Sequence, residues 1–373
     1  MIEIKEVKST KEMKKFVDLP FEIYKDNPFW VPTIKKDELE SFDSKNAIFK
    51  TVDAKFFLAY KQNEVVGRIV SIINWTEVND LRKPKIRFGW LVFKEDINIL
   101  KALLTTVENI GKQNKMNYIE GPMGFSNMDK AGMLTEGFDK VATLIGSYNY
   151  DYFPRYIQDL GYKPEAEWLE YSIALENLGS VKQMDKLCEL IKKRYEIDTY
   201  RFKSIQDMMP YVDEMFDLLN LTYSELQSFV PIQKFQVEHY KKKYLKFIHP
   251  DFISCVKDKN GKMIAFAITM PSFSKAFQKT NGKLFPFGWW HLMNAQKKND
   301  HVEFYLIGIN PDYQNKGVNA LIFKELYDKF SVRGFKTLET NPLLEENIKI
   351  QQLWKNFDPV IHKRRKTFSK KLN

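Results

Sequence analysis

A strand, a turn rich in small and polar residues, and a helix follow one another between residues 307 and 330. The strand ends at Asn310-Pro311, and the turn at 314–320 is Gln-Asn-Lys-Gly-Val-Asn-Ala. Gly317 lets backbone N–H groups converge with no side chain in the way. The helix that follows adds unpaired donors and the positive end of its dipole. The segment is therefore predicted to hold the phosphates of a ligand.

This segment resembles the GNAT superfamily of acyl-CoA-dependent N-acyltransferases, whose signature is a strand, Gln/Arg-x-x-Gly-x-Gly/Ala, and a helix. Gln314 and Gly317 match the signature, and Asn319 stands where the family has glycine or alanine. The resemblance implies transfer of an acyl group, acetyl in the simplest case, from acetyl-CoA or another acyl-CoA to an amine of an unknown acceptor. The residues that it assigns to the CoA thioester are Ile307, Ile309, Gln314, Asn315, Lys316, Gly317, Val318, Asn319, Ala320 and Asn347. Asn347 is included because it matches a family asparagine beside the cofactor arm, although asparagine also commonly starts a helix.

Acyl transfer to an amine needs a base and a polarised thioester carbonyl. The first candidate for the base is Glu303, which precedes the apolar part of the strand before the turn. Glu339, on the next short strand, is the second candidate, and His301 is the third. Burial in a cleft would raise the pKa of such a carboxylate, as a base requires. The alternative for each carboxylate is a solvent-facing strand residue or an ion pair.

The departing thiolate also needs a proton, which a tyrosine on the last helix often supplies in the family. Trp354 stands at that position, and an indole N–H does not act as an acid near neutral pH. Tyr305 or Tyr313 is expected to take its place, and Tyr305 joins the catalytic candidates. Two other functions fit the same residues: a non-catalytic ligand sensor, or an acyltransferase whose donor is an acyl carrier protein.

The two halves of the chain repeat one order of predicted elements: strand, helix, three antiparallel strands, helix, strand, helix, strand. The pattern predicts an α/β protein of two tandem GNAT-like domains, 1–177 and 178–373, each with a mixed, mostly antiparallel sheet flanked by helices. At the turn of the first half the chain has Lys94-Glu95-Asp96, with no glycine. The carboxylates there would repel a pyrophosphate, so CoA is expected in the second half.

Residues 120–139 and 148–153 resemble a group of uncharacterised bacterial GNAT-like proteins. Loops rich in Gly, Ser and Asn often line ligand sites, and a structural connection is the alternative. The polar candidates for substrate binding in this region are Ser126, Asn127, Glu136 and Tyr148.

Residues 285–293, Phe-Pro-Phe-Gly-Trp-Trp-His-Leu-Met, form an aromatic segment. Trp289 and Trp290 are candidates for the wall of a pocket that holds an acyl chain or an apolar amine. A contact with a membrane surface is a second interpretation. Because aromatic residues are more often buried, the ordinary expectation is a short helix packed on the core.

Composition and charge limit the kinds of ligand, partner and cellular location to be expected. The chain has 373 residues and a net charge of +10, which suits an anionic ligand or an acidic carrier protein. The basic runs at 241–243 and 362–366 are interpreted as a solvated helix face and a charged edge strand, so no nucleic-acid partner is expected. Cys188 and Cys255 lack the spacing of a metal site or disulfide framework, so no metal is predicted. No stretch approaches the roughly 18 apolar residues of a membrane span. The expectation is a cytoplasmic protein without stable membrane insertion.

Overall fold

The computed structural model describes residues 1–126, 128–178, 181–224, 230–244 and 248–372. Within these ranges the chain forms fourteen strands and twelve helices. The strands are β1 (Ile2–Glu6), β2 (Val52–Lys61), β3 (Glu64–Asn74), β4 (Lys85–Phe93), β5 (Tyr118–Gly121), β6 (Met133–Glu136), β7 (Lys163–Ala174), β8 (Ile197–Tyr200), β9 (Ile253–Asp258), β10 (Met263–Pro271), β11 (His301–Ile309), β12 (Thr337–Thr340), β13 (Leu343–Leu344) and β14 (Val360–Lys371). The helices are α1 (Thr10–Ile23), α2 (Lys35–Ser41), α3 (Ile97–Gln113), α4 (Tyr152–Asp159), α5 (Val181–Tyr195), α6 (Ile205–Met208), α7 (Val212–Tyr223), α8 (Lys234–Tyr244), α9 (Ser274–Thr280), α10 (Gly288–Lys297), α11 (Val318–Val332) and α12 (Ile348–Trp354).

The strands form one mixed, mostly antiparallel sheet. Its order is β1-β2-β3-β4-β5-β14-β7-β12-β11-β10-β9-β8, with β6 paired to β14 and β13 paired to β7. The parallel pairs are β4 with β5 and β11 with β12, at matching places in the two halves. The predicted fold class, an α/β protein with two GNAT-like halves, is confirmed by this arrangement.

The last strands of the two halves exchange places. β14, from the second half, pairs with β5 of the first half, so that Phe368 lies opposite Gly121. β7, from the first half, pairs with β12 of the second half, and Ile173 lies opposite Leu338. β7 and β14 also pair with each other at the centre of the sheet. The two halves therefore share one continuous hydrogen-bond ladder.

Residues 362–366 lie in β14, and the expectation of an edge strand there is wrong. Lys363 and Arg365 are buried inside the sheet. The Glu170 carboxylate on β7 accepts a hydrogen bond from Arg365 and lies 3.6 Å from Lys363 Nζ. The basic run therefore neutralises buried carboxylates, as charges inside a protein require.

Local signals fix the helix starts. Ser9 and Glu12 form the predicted capping box of α1, and the Ser204 hydroxyl caps α6. In the first half the Asp96 carboxylate accepts from the Asn98 N–H at the start of α3 and pairs with Lys61 at 2.9 Å. A side chain therefore already fills the place where the second half has a glycine turn.

Candidate functional site

The turn between β11 and α11 has the backbone of an anion cradle. Asn315 and Gly317 both adopt left-handed conformations, with φ of 60° and 78°. Within the described ranges, the N–H groups of residues 315–319 donate to no backbone or side-chain acceptor. A Cβ on Gly317 would lie 2.8 Å from Ile191 Cδ1, so the position admits only glycine without a shift. Such a concave set of free donors at the N-terminus of a 15-residue helix suits a phosphate.

β11 has a free edge beyond its contact with β12. The register between the two strands ends at Phe304 and Thr340, while β11 continues to Ile309. The Ile307 carbonyl faces this gap and accepts a hydrogen bond from the Tyr223 hydroxyl at 2.8 Å. Because a strand residue points its N–H and C=O to the same side, the N–H groups of Ile307 and Ile309 also face the gap. An extended ligand arm can pair with this edge as an added strand does.

Glu303 is a buried carboxylate beside this edge, with 1% of its surface exposed. Its Oε2 accepts a hydrogen bond from the Tyr305 hydroxyl at 2.9 Å, and its Oε1 lies 3.4 Å from Ser274 Oγ. Burial, and secondarily the charge of Glu339, raises the pKa of Glu303. A raised pKa brings a carboxylic acid towards the range in which it exchanges protons at neutral pH.

Glu339 is buried in a different environment. Lys363 Nζ lies 2.5 Å from its Oε1, and His301 Nε2 lies 3.1 Å from its Oε2. His362 Nε2 lies 3.2 Å from Oε1. The Lys363 ammonium, the hydrogen bond with His301 and the nearby His362 outweigh burial and hold the pKa of Glu339 well below its usual range. The environment of Glu339 therefore favours its charged form, whereas the environment of Glu303 favours the neutral form.

A cavity of about 790 Å³ lies between the two halves and reaches β11 at Tyr305 and Leu306. A β-bulge at this point of the β10–β11 ladder lets both neighbouring side chains face it. Its walls are mainly apolar and come from both halves. The apolar wall residues include Trp90, Phe125, Met128, Met215, Phe266, Ile268, Met270, Trp289, Leu292 and Met293. A volume near the upper end of the 300–1,000 Å³ common for small-molecule sites suits a long, apolar ligand.

Polar groups lie on the first-half side of the cavity. Arg68 Nη1 pairs with Glu38 at 3.1 Å, and Arg68 Nε has no hydrogen-bond partner among the described residues. Burial lowers the pKa of the Lys130 ammonium to about 8. Ser126 Oγ lies 3.1 Å from the Tyr240 hydroxyl, which joins α8 of the second half to the first. The cavity thus combines apolar walls with one polar side, as an amphipathic ligand requires.

Two curated proteins resemble the chain over nearly its whole length. Protein YghO of Escherichia coli K12 is 24% identical over 369 residues, which are 97% of this chain and 93% of that protein. The bacterial ceramide synthase of Caulobacter vibrioides is 21% identical over 379 residues, 98% of this chain and 96% of that enzyme. No family model matches the chain.

Solved structures decide the fold. A tandem GNAT protein from the clavulanic acid biosynthesis pathway superposes with a TM-score of 0.58 and 9% identity, covering 100% of this chain and 99% of its own. The fold is that of a tandem GNAT protein. A GCN5-related N-acetyltransferase from Sphaerobacter thermophilus agrees, with a TM-score of 0.54, 9% identity and coverage of 100% and 96%. Identity at this level shows the tandem GNAT fold alone.

In this tandem GNAT fold the predicted catalytic residues lie close together. Glu303 and Tyr305 share a hydrogen bond, and Glu303 lies opposite Glu339 in the β11–β12 register. The cradle residues from Gln314 to Ala320 lie beyond the other end of β11. Asn347 caps α12, where its side chain accepts from the Ile350 N–H at 3.2 Å. Trp354 is fully buried against Phe304 and Phe323 rather than facing the free edge.

The substrate candidates divide into two groups. Ser126, Tyr148 and Trp289 line the cavity. Glu136 does not line it and pairs with Arg364 at 3.1 Å, and Trp290 is not among its walls. Asn127 lies outside the described residues. The expectation that the aromatic segment packs on the core is wrong, because α10 and the residues before it leave most of their aromatic side chains exposed.

Sequence reasoning missed Tyr223 and Ser274. Tyr223 comes from α7, 84 residues before Ile307, and its hydroxyl is at the free edge of β11. Burial raises the pKa of Tyr223 to about 12. Ser274 at the start of α9 lies beside Glu303 and donates to the Ala142 carbonyl of the first half at 2.8 Å. No local spacing signals either contact, since both depend on packing between distant elements.

Proposed function

We propose that the protein is an N-acyltransferase that moves an acyl group from acyl-CoA to the amine of a long-chain, amphipathic acceptor. One observation carries the proposal: β11 joins the cradle, the free edge, the buried Glu303–Tyr305 pair and the apolar cavity within one strand and its turn. The donor is bound beyond the carboxyl end of the strand, and the acceptor lies against its middle at Tyr305 and Leu306. The Tyr305 hydroxyl connects this point to Glu303, which lies nearer the start of the strand.

The cradle fits the pyrophosphate of CoA. Its free N–H groups supply the hydrogen bonds, and Lys316 adds positive charge beside them. The N–H groups of Ile307 and Ile309 would pair with the pantetheine arm and direct the thioester towards Tyr305. Asn319 presents its side chain where the family has a smaller residue, at the second position of a helix whose first donors remain free.

Glu303 is assigned the role of the base, acting through the Tyr305 hydroxyl. Tyr305 takes a proton from the substrate ammonium as it gives its own to Glu303, so the amine becomes the nucleophile. The amine nitrogen then bonds to the thioester carbon, and the carbon–sulfur bond breaks. Tyr305 then gives a proton to the thiolate, and Glu303 returns the proton that it received to Tyr305. The second proton, from the nascent amide nitrogen, passes to solvent. A carboxylic acid with a raised pKa suits both steps.

The size of the cavity supports a long-chain acceptor. The ceramide synthase that resembles this chain makes ceramides, which are amides of fatty acids and long-chain amino alcohols. That likeness supports an acceptor of the same chemical class, with its chain on the apolar walls and its hydroxyl groups beside Arg68, Glu38 and Lys130.

The direct test measures thiol release from acyl-CoA donors of two to sixteen carbons, with a saturated long-chain amino alcohol or a short alkylamine as acceptor. The expected result is acceptor-dependent release that favours the amino alcohol, together with amide product seen by mass spectrometry. Absence of release with every donor, despite CoA binding in titration calorimetry, would remove the enzymatic assignment. Turnover with acyl carrier protein but not with acyl-CoA would correct the donor.

A further inference from the structure

An exposed aromatic patch lies beside the cavity. It consists of Phe285, Phe287, Trp289, Trp290 and Met293, whose exposed fractions are 85%, 73%, 50%, 54% and 46%. Five large, exposed apolar side chains lie within nine residues, unlike the single exposed apolar residues that are normal on proteins. Tryptophan and phenylalanine are also the side chains that favour the boundary between water and lipid.

The segment that carries the patch is strongly basic. Residues 272–299 contain five lysines and no aspartate or glutamate. These are Lys275, Lys279, Lys283, Lys297 and Lys298. All five are exposed, and none forms an ion pair with a described residue, unlike the many paired lysines elsewhere in the chain. A surface with five unpaired cations around exposed aromatics matches an anionic lipid surface.

The patch is continuous with the cavity. Trp289 and Met293 belong to both, and Leu284, Leu292 and Gln296 beside them line the cavity. α10 therefore has one face towards the cavity and another face in solvent. A long-chain molecule that leaves a bilayer at this point would meet apolar surface all the way to β11.

We propose that residues 283–298 dock on an anionic lipid bilayer and set the mouth of the cavity against it. No helix in the described ranges is long and apolar enough to cross a bilayer, so the contact is made at the surface. A second copy of the chain is a poorer occupant, because two such patches would bring ten lysines together without acidic partners. Entry of the acceptor from the bilayer rests on the proposed function, whereas the docking itself does not.

Vesicle co-sedimentation tests the docking. The purified protein is mixed with vesicles of phosphatidylcholine alone or of phosphatidylcholine with phosphatidylglycerol. We expect binding to the anionic vesicles that weakens as salt rises, because exposed charges are screened. The Phe285→Ser/Phe287→Ser variant should bind at least about tenfold more weakly. A Leu190→Ser/Val332→Ser variant, which removes exposed apolar residues on α5 and α11, should bind like the wild type.

Two results would overturn the docking: wild-type protein that stays in solution with anionic vesicles at low salt, or equal binding by the two double variants. Sedimentation velocity could give a third contrary result. A wild-type dimer that is lost only in the Phe285→Ser/Phe287→Ser variant would show that the patch binds a second copy of the chain. The activity readout separates this proposal from the proposed function. With a detergent-dispersed acceptor both variants should turn over like the wild type, and with a vesicle-borne acceptor only the phenylalanine variant should slow.

Discussion

Replacing Glu303 and Glu339 with glutamine, one at a time, should change stability in opposite directions. The folded state raises the pKa of Glu303, so the stability contributed by this group is present at low pH and lost as pH rises through that pKa. Glu303→Gln cannot ionise, and its amide can still accept from Tyr305 and donate to Ser274. The free energy of unfolding of this variant should therefore equal that of the wild type near pH 4 and exceed it at pH 8.

The folded state lowers the pKa of Glu339, so its contribution is present above the usual pKa and lost as pH falls. Glu339→Gln leaves the buried Lys363 ammonium without its nearest anion. Breaking a buried pair costs about 3–5 kcal/mol. We expect about 3 kcal/mol at neutral pH, because Glu170 Oε2 remains 3.6 Å from Lys363 Nζ. The loss should persist as pH falls to the ordinary carboxyl pKa of 4.5 and fade only below that pH.

Activity separates the two carboxylates as well. If Glu303 takes the proton, Glu303→Gln should lower kcat/KM by about 10²–10⁴-fold while the protein stays folded. Urea unfolding across pH 4–8 and thiol-release kinetics on the same preparations provide the measurement. The assignment would be wrong if Glu303→Gln lost as much stability as Glu339→Gln and its activity fell only with the folded fraction.

Three further variants address the proposed donor site, the cavity wall and the half-buried Lys130. Gly317→Glu should abolish CoA binding in titration calorimetry while circular dichroism is unchanged, since it adds a negative side chain to a left-handed position facing Ile191. Met128→Trp should fill part of the cavity and raise KM for the longest acceptor by about 30-fold, with little change in KM for short alkylamines. A change of about 30-fold is about 2 kcal/mol, which is the burial energy of between two and three methylene groups. Lys130→Met should stabilise the protein at pH 7, because the wild type recovers the cost of desolvating this half-buried ammonium only as pH rises above about 8. The gain measured by urea unfolding should therefore shrink at pH 10.

Features set by short sequence signals could be predicted. The capping residues Ser9 and Ser204, the glycine turn at Gly317, and the alternation of apolar residues in the hairpins each depend on a few neighbouring positions. The exchange of β7 and β14 could not be predicted, because both are the closing strand of equivalent halves and have the same strand periodicity. Only their partners in the folded sheet, β12 for β7 and β5 for β14, distinguish the two arrangements.

In the candidate site as well, local features could be predicted from the sequence and long-range contacts could not. Glu303 could be placed near the start of the strand that leads to the turn, because both belong to one continuous segment of sequence. The surroundings of Glu303 could not be predicted. Ser274 comes from the start of α9, and the Ala142 carbonyl that holds it comes from the first half of the chain. Composition favours a core position for the aromatic segment, whereas its exposure follows from the position of α10 at the rim of the cavity.

The exchanged strands explain why a first half without a glycine cradle belongs to the same site. β14 supplies Lys363 and Arg365, while β7 supplies the Glu170 carboxylate between them. Lys363 in turn fixes the charge of Glu339, and that charge helps to raise the pKa of Glu303. The first half also provides much of the cavity wall and the carbonyl that holds Ser274. The charge of Glu303, the shape of the cavity and the continuity of the sheet therefore depend on both halves, even though the glycine cradle lies in one.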